Sequence, residues 1–412
     1  MNAPVPPPPA DQPTGTTPPR DFPMRRACPF SAPQEYAALR AEEPVARVTL
    51  PTGRPAWAVT RYDDVRALLS DPRISADIRR PNFPALGVGE QEAGARLRPF
   101  IRTDPPEHTR YRRMLLPEFT VRKVRAMRPT VQDLVDGILR DMLAGPQPVD
   151  FVASYANAVS TSVICGLLGI PRENLEFFRD VTRVSGSRTS TAEEVAEALN
   201  GLFTLLSDLI AQRREDPGED LLSKLVTEHL LTGDLTMHEL LSTVGITINA
   251  GRETTTSMIA LSTLLLLRRS DLMEQLRAEP SLMPSAVEEL LRALSVADSI
   301  PLRIAAEEIE LSGRTIPADD GIIGLLAGAN HDPDRFPDPE TVDFHREDNP
   351  HLAFGHGMHQ CIGQQLARLE MEIALQTLIR GVPTLRLAVP YEEIVFKHDS
   401  ATFGVEKMPV AW

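Results

Sequence analysis

Phe354-Gly355-His356-Gly357-Met358-His359-Gln360-Cys361-Ile362-Gly363 is the stretch from which the rest of this chain is read. It sets one cysteine between glycines, after a phenylalanine and directly ahead of a helical pattern. An isolated cysteine is usually a small buried hydrophobe. The neighbours here argue for more. Gly357 and Gly363 let the backbone turn sharply and approach a flat ligand with no Cβ in the way. Apolar residues at Ile362, Leu366, Leu369 and Ile373 follow helical spacing. The sulfur then sits near a helix N-terminus, where free N–H groups and the macrodipole favour a thiolate. Phe354 is placed to shield it from water, and the shell around a metal-bound thiolate tunes the metal.

A thiolate serves heme iron as an axial ligand, and its electron donation favours O–O cleavage. The pattern Phe-x-x-Gly-x-His-x-Cys-x-Gly resembles the heme-binding signature of bacterial cytochromes P450, where Arg is commoner than His at the position of His359. The resemblance implies heme b (iron protoporphyrin IX) on Cys361, with Phe354, Gly357, His359 and Gly363 around it.

Length and composition agree with an enzyme of that size. The chain has 412 residues, 42% of them hydrophobic, enough for a large core. A formal net charge of −14 argues against general affinity for nucleic acid or anionic membranes. Cys28, Cys165 and Cys361 make no disulfide framework, which fits a reducing cytoplasm. Met1 to Pro19 lacks a basic and an apolar region, so no signal peptide is expected. Leu264 to Leu267 is followed at once by Arg268 and Arg269, too short to span a bilayer. Residues 1–21, rich in proline, read as a disordered arm, and 22–412 as one domain.

Along the chain, a helix is expected from Pro33 to Glu43, strands at Val45–Leu50 and Ala56–Thr60, and a helix at Tyr62–Leu69. The segment 75–102, rich in Pro, Gly and Arg, reads as a long loop. Helices are expected over 129–143, 151–168, 171–184, 192–214 and 219–230, broken at Gly, Pro and Ser clusters. The longest runs from Thr236 to about Arg268. Thr236-x-x-Glu239 has capping-box spacing ahead of its apolar run. Inside it, Gly251 is costly to a helix, and a charged Glu253 in a mostly apolar helix needs a partner or a purpose. A packing glycine and a salt bridge from Glu253 to Arg252 would account for both.

The resemblance implies more. Ala250-Gly251-Arg252-Glu253-Thr254 matches the family's acid–alcohol motif, in which Gly251 makes room for dioxygen while Thr254 and Glu253 manage water and protons. His108 and Arg112 share a helical face. With Arg303, they resemble residues that hold the heme propionates. Glu289 and Arg292 match the family's structural Glu-x-x-Arg pair, whereas His331 stands where Arg is usual. Segments 171–200 and 298–302 correspond to a substrate lid and wall. Arg122, Lys123, Arg125 and Arg128 form a basic cluster on an acidic chain, a docking face for an acidic partner.

These readings lead to a mainly α-helical heme-thiolate monooxygenase with a small β-sheet portion. It resembles actinobacterial members that tailor macrolides, polyenes, terpenoids or added drugs. The implied partners are O2, a ferredoxin and an NAD(P)H-driven ferredoxin reductase, with a bulky, mostly apolar substrate and a monomeric chain. A peroxygenase on the same scaffold, or a non-enzymatic heme module, are the alternatives; either would have less use for the pair Glu253-Thr254.

Overall fold

The computed structural model describes Arg20 to Trp412, the side chains of Val88, Ala95, Arg172, Leu175, Arg179 and Thr182 excepted. The arm expected over residues 1–21 therefore lies almost wholly outside the described residues. Its last two residues, Arg20–Asp21, form a short strand parallel to Val45–Thr49 and are not disordered chain.

Helices dominate, and one organises the rest. Thr236 caps it as its spacing predicts: its hydroxyl accepts from the Glu239 backbone N–H, while the Glu239 carboxylate accepts from the Thr236 N–H at 2.7 Å. From that box the helix runs 32 residues, Met237–Arg268. At ~1.5 Å per residue it spans about 48 Å, enough to cross the molecule. Its apolar residues, Leu240, Val244, Ile248, Ile259 and Leu264 among them, are buried against the helices Asn157–Leu168 and Gln364–Gly381. No helix among the described residues is long and apolar enough to cross a membrane.

Among the described residues the β portion is four small sheets, the largest with six strands. Its order is Arg20–Asp21, Val45–Thr49, Pro55–Val59, Gly321–Gly324, Leu302–Ala305, Ile74–Ser75. Val45–Thr49 and Pro55–Val59 pair antiparallel, with Arg47 opposite Trp57. Arg303 pairs with Ile322 inside the sheet, which fixes where its guanidinium emerges.

Three expectations about elements change. The segment 75–102 carries a helix, Val88–Leu97, and a 3-10 turn, Phe100–Arg102, where an irregular loop was expected. Glu90 accepts the Leu86 backbone N–H at 2.9 Å and helps start that helix, while Arg98, left-handed at φ 45°, ends it. The helix expected at 171–184 is shifted to Leu175–Gly186, after a 3-10 turn at Arg172–Asn174. Near 151 and 225 the backbone widens into π turns, Val152–Ala156 and Leu225–Leu230, which hydropathy spacing does not reveal.

Glu289 and Arg292, on the helix Met283–Leu294, have the largest structural role among the charged pairs. A local surface pair would be weak, but both side chains are fully buried. Arg292 meets both Glu289 oxygens, at 2.7 and 2.8 Å, and also donates to the Asn330 and Pro339 carbonyls. Arg346, Asn349 and the Asp343 N–H converge on the same carboxylate. Asn330 accepts the Leu352 N–H at 2.7 Å. Four segments are thereby tied together just ahead of the cysteine loop. His331 is buried and close to Arg292. Burial first, then Arg292, drives its imidazole down to about 3, so it is neutral where an arginine would be charged.

Candidate active site

Between the central helix, the cysteine loop and the strand bearing Arg303 lies an open-mouthed cavity whose space, counted out into the solvent at its mouth, is about 1580 Å³. Its lining is mainly apolar, with a few convergent polar groups, as small-molecule sites are.

Cys361 reaches it from a loop, not from a helix. A 3-10 turn, Gly357–His359, precedes it and the helix begins at Gln364, so the sulfur sits just ahead of a helix N-terminus. The Cys361 N–H donates to the Phe354 carbonyl at 2.9 Å, closing the loop. Its exposed surface faces the cavity. Burial pushes the thiol up, while the Gly363 N–H, Arg112 and Arg368 act the other way. Phe354 lines the same cavity, with the Arg368 guanidinium 4.6 Å over its ring. Gly357 is required: its φ is +69°, and a Cβ there would collide with the Leu69 carbonyl. Gly363 is not required in that sense. Its backbone is ordinary, and a Cβ would meet Cys361 Sγ at 3.9 Å, a normal contact.

At one side the cavity is strongly positive. His108 and Arg112 extend from the helix Glu107–Leu115, Arg303 from the sheet, and His359 from the cysteine loop. The two imidazoles lie 4.1 Å apart between centroids. His108 Nε2 and His359 Nδ1 are buried without a hydrogen-bond partner. Among the described residues no carboxylate forms an ion pair with any of the four, and Arg303 donates only to the Leu302 carbonyl. Burial, reinforced by the neighbouring cations, takes His359 down to about 2 and His108 to about 4, and brings even Arg303 to about 9. Orphaned donors and mutually repelling cations at one wall fit a bound group that carries acidic arms. The donor set, with a thiol facing the same space, fits heme and its propionates.

The central helix supplies the opposite chemistry. Ala250, Gly251 and Thr254 line the cavity, and the Thr254 hydroxyl donates back to the Ala250 carbonyl at 2.7 Å. Gly251 does double duty, since a Cβ there would press on the Ile164 side chain at 2.9 Å. Glu253 is not among the lining residues. Its carboxylate is held by Arg252 at 2.6 Å and Lys397 at 2.7 Å. Burial pushes that carboxyl up, but the two cations outweigh it and keep it ionised. The bridge to Arg252 is legible in sequence; the one to Lys397 is not.

Two charged lining residues, Arg102 and Glu370, belong to none of the sequence motifs. Arg102 is buried, donates to the Ile300 carbonyl and pairs with Glu90 at 3.2 Å. Glu370 is buried at 2% exposure with Oε2 unpartnered, and burial alone raises its carboxyl well above the usual range. A signal for Glu370 exists: it lies between Leu366 and Ile373, a lone acid on the apolar face of its helix.

Comparison with known proteins agrees with this geometry. The cytochrome P450 family model matches residues 32–382. Two crystal structures of CYP105N1 from Streptomyces coelicolor are 74% and 69% identical to the chain, with TM-scores of 0.89 and 0.85. The first match covers 96% of this chain and 99% of that one, the second 95% and 100%. The second is described as a cytochrome P450 oxidase in the coelibactin siderophore biosynthetic pathway. The 20-oxo-5-O-mycaminosyltylactone 23-monooxygenase of Streptomyces fradiae is 43% identical over 392 residues, 95% of this chain and 92% of that protein. In sequence and in fold alike, the chain belongs to the cytochrome P450 family, and it is a monooxygenase.

Proposed function

We propose that residues 22–412 act as one domain that holds heme b on Cys361 and hydroxylates a bulky, mostly apolar secondary metabolite. The observation that carries this is the shared cavity, in which a thiol, an unmatched cationic wall and the Thr254 hydroxyl meet. Bound there, the heme supplies dioxygen activation for RH + O2 + 2e⁻ + 2H⁺ → ROH + H2O. His108, Arg112, Arg303 and His359 hold its propionates by charge-assisted bonds. Arg102 lines the same cavity and adds positive charge close to Arg303. Phe354 covers the sulfur, and Gly357 lets the loop pack on Leu69. Thr254 brings its hydroxyl to the cavity wall, and Glu253, held ionised behind it, passes protons on as its carboxyl changes state. Ile164, Ile246, Val296 and Ile300 exclude water and grip the substrate.

Electrons come from a ferredoxin and an NAD(P)H-driven ferredoxin reductase. The exposed Arg113, Arg122 and Arg125 lie in the same stretch of chain as Arg112 of the cationic wall, which supports electron entry from this side. We assign the chain to the cytoplasm as a monomer.

For the substrate, the relative described as a siderophore-pathway oxidase, at 69% identity, outweighs the macrolide enzyme at 43%. A siderophore-type intermediate is therefore the first candidate and a macrolide the second. The test is turnover of NAD(P)H with supplied ferredoxin and reductase under labelled dioxygen, using both compound classes. One labelled oxygen per product and type I spectral shifts with the siderophore-type compounds are expected. Peroxide-driven product with no need of redox proteins would overturn the electron route, and shifts with macrolides alone would overturn the substrate assignment.

A further inference from the structure

Behind one wall of the cavity lies a second, polar pocket. The segment 296–301 separates them: Ala297, Ile300 and Pro301 face the cavity, Asp298 and Ser299 turn the other way, and Val296 borders both. Arg26, Arg188 and the turn from Lys397 to Ala401 complete the pocket.

Its charges are fixed in place, and almost all are already committed. Arg26 is buried, donates to the Leu294 and Ser295 carbonyls at 2.6 and 2.8 Å, and lies 4.6 Å over the Phe403 ring. Asp298 uses one oxygen for the Tyr36 hydroxyl and the other for the Ala327 N–H, both at 2.7 Å. Lys397 is taken by Glu253. Asp399 meets Arg25 at the surface, and Glu90, the remaining acid near Arg188, is paired with Arg102.

Arg188 is the exception. It follows the helix Leu175–Gly186, its backbone N–H is anchored to the Asp399 carbonyl at 2.9 Å, and Nη2 donates to Ser299 Oγ at 2.9 Å. Its Nε is buried and has no acceptor. Ser299 accepts that bond, so its own hydroxyl hydrogen is left to donate. Arg26 and Arg188 outnumber Asp298, whose carboxyl burial pushes up and which therefore offsets less positive charge. A buried guanidinium N–H without an acceptor is costly, and the group's fork geometry matches two oxygens in a plane.

We infer that this pocket binds a carboxylate-bearing small molecule, seated on the Nε–Nη2 edge of Arg188 with the Ser299 hydroxyl as a further donor. The carboxylate belongs either to the acid end of the substrate, reaching past Val296, or to a separate organic acid. The site stands on the chain's own residues and does not depend on the heme assignment.

Benzoate is the probe. It is titrated calorimetrically into the full-length, heme-loaded protein at constant ionic strength, with benzyl alcohol as the neutral control. One benzoate per chain is expected, with no heat from the alcohol. Arg188→Gln should weaken binding at least tenfold. Arg188→Lys, which keeps the charge but loses the fork, should fall between. Repeating the titration with clotrimazole in the main cavity separates the two sources: persistence marks a separate acid, and loss marks the substrate's own arm. No benzoate binding, or equal binding in wild type and Arg188→Gln, would overturn the site.

Discussion

Lys397 Nζ stands 2.7 Å from Glu253 Oε1, bringing the turn that starts at Lys397 onto the central helix across 144 residues of chain. With Arg252 on the other oxygen, Glu253 is a half-buried, doubly paired carboxylate. Glu253→Gln leaves the half-buried Lys397 without its anion. Losing a charged hydrogen-bond partner at such a site costs about 1–3 kcal/mol, and general acid–base groups contribute roughly a hundredfold or more in rate. A stability loss of that order in denaturant titration, with turnover down at least tenfold, is expected. Unchanged turnover would remove Glu253 from the proton route.

Thr254→Ala removes a hydroxyl that lines the cavity near Gly251 and bonds to the Ala250 carbonyl. Folding, heme content and substrate-induced spectral shifts should be nearly unchanged. NADPH consumption should continue while product falls and hydrogen peroxide rises. Coupling equal to wild type would place the proton donor elsewhere, and Glu370, whose carboxyl burial pushes well up in the same cavity, would be the next residue to test.

Cys361 is the one cysteine that faces the cavity; Cys28 is exposed and Cys165 is buried in the core. Cys361→Ser is expected to abolish the red-shifted Soret band of the reduced carbon monoxide complex. Cys28→Ser and Cys165→Ser should keep it. Loss of the band in either of these would refute the ligand assignment.

Arg292 is wholly buried and makes every one of its bonds to Glu289 or to carbonyls ahead of the cysteine loop. Arg292→Ala leaves the buried Glu289 carboxylate to Arg346, Asn349 and the Asp343 N–H, and should cost about 3 kcal/mol. Heme retention should fall in parallel, read by absorbance per chain. A stable, heme-replete variant would show that the loop is ordered without this pair.

Acid stability carries the signature of His331. Its ordinary value is 6.5, and burial holds the folded form at about 3. The unfolded chain therefore binds a proton first as pH drops. Stability present above pH 6.5 is lost progressively between 6.5 and 3, by up to about 1.4 kcal/mol per pH unit for one proton. His331→Gln, which keeps a donor for the Ala327 carbonyl, should flatten that slope in denaturation curves taken from pH 7 to 5. An unaltered slope would mean that other groups set the acid limit.

Much of this protein was legible in one dimension because its signals are local. The Thr236–Glu239 box, the period of the central helix and the glycine-flanked Cys361 each depend on residues a few places apart. Local spacing also paired His108 with Arg112 and Glu289 with Arg292. It said nothing about burial, and burial is what turns the latter pair from a weak surface contact into the anchor of the cysteine loop. Tertiary structure alone brought His359 within 4.1 Å of His108, placed Lys397 on Glu253, left Arg188 Nε without an acceptor and set Glu370 against the cavity. Charge, protonation and pairing depend on desolvation and on partners hundreds of residues away, so only the folded chain decides them.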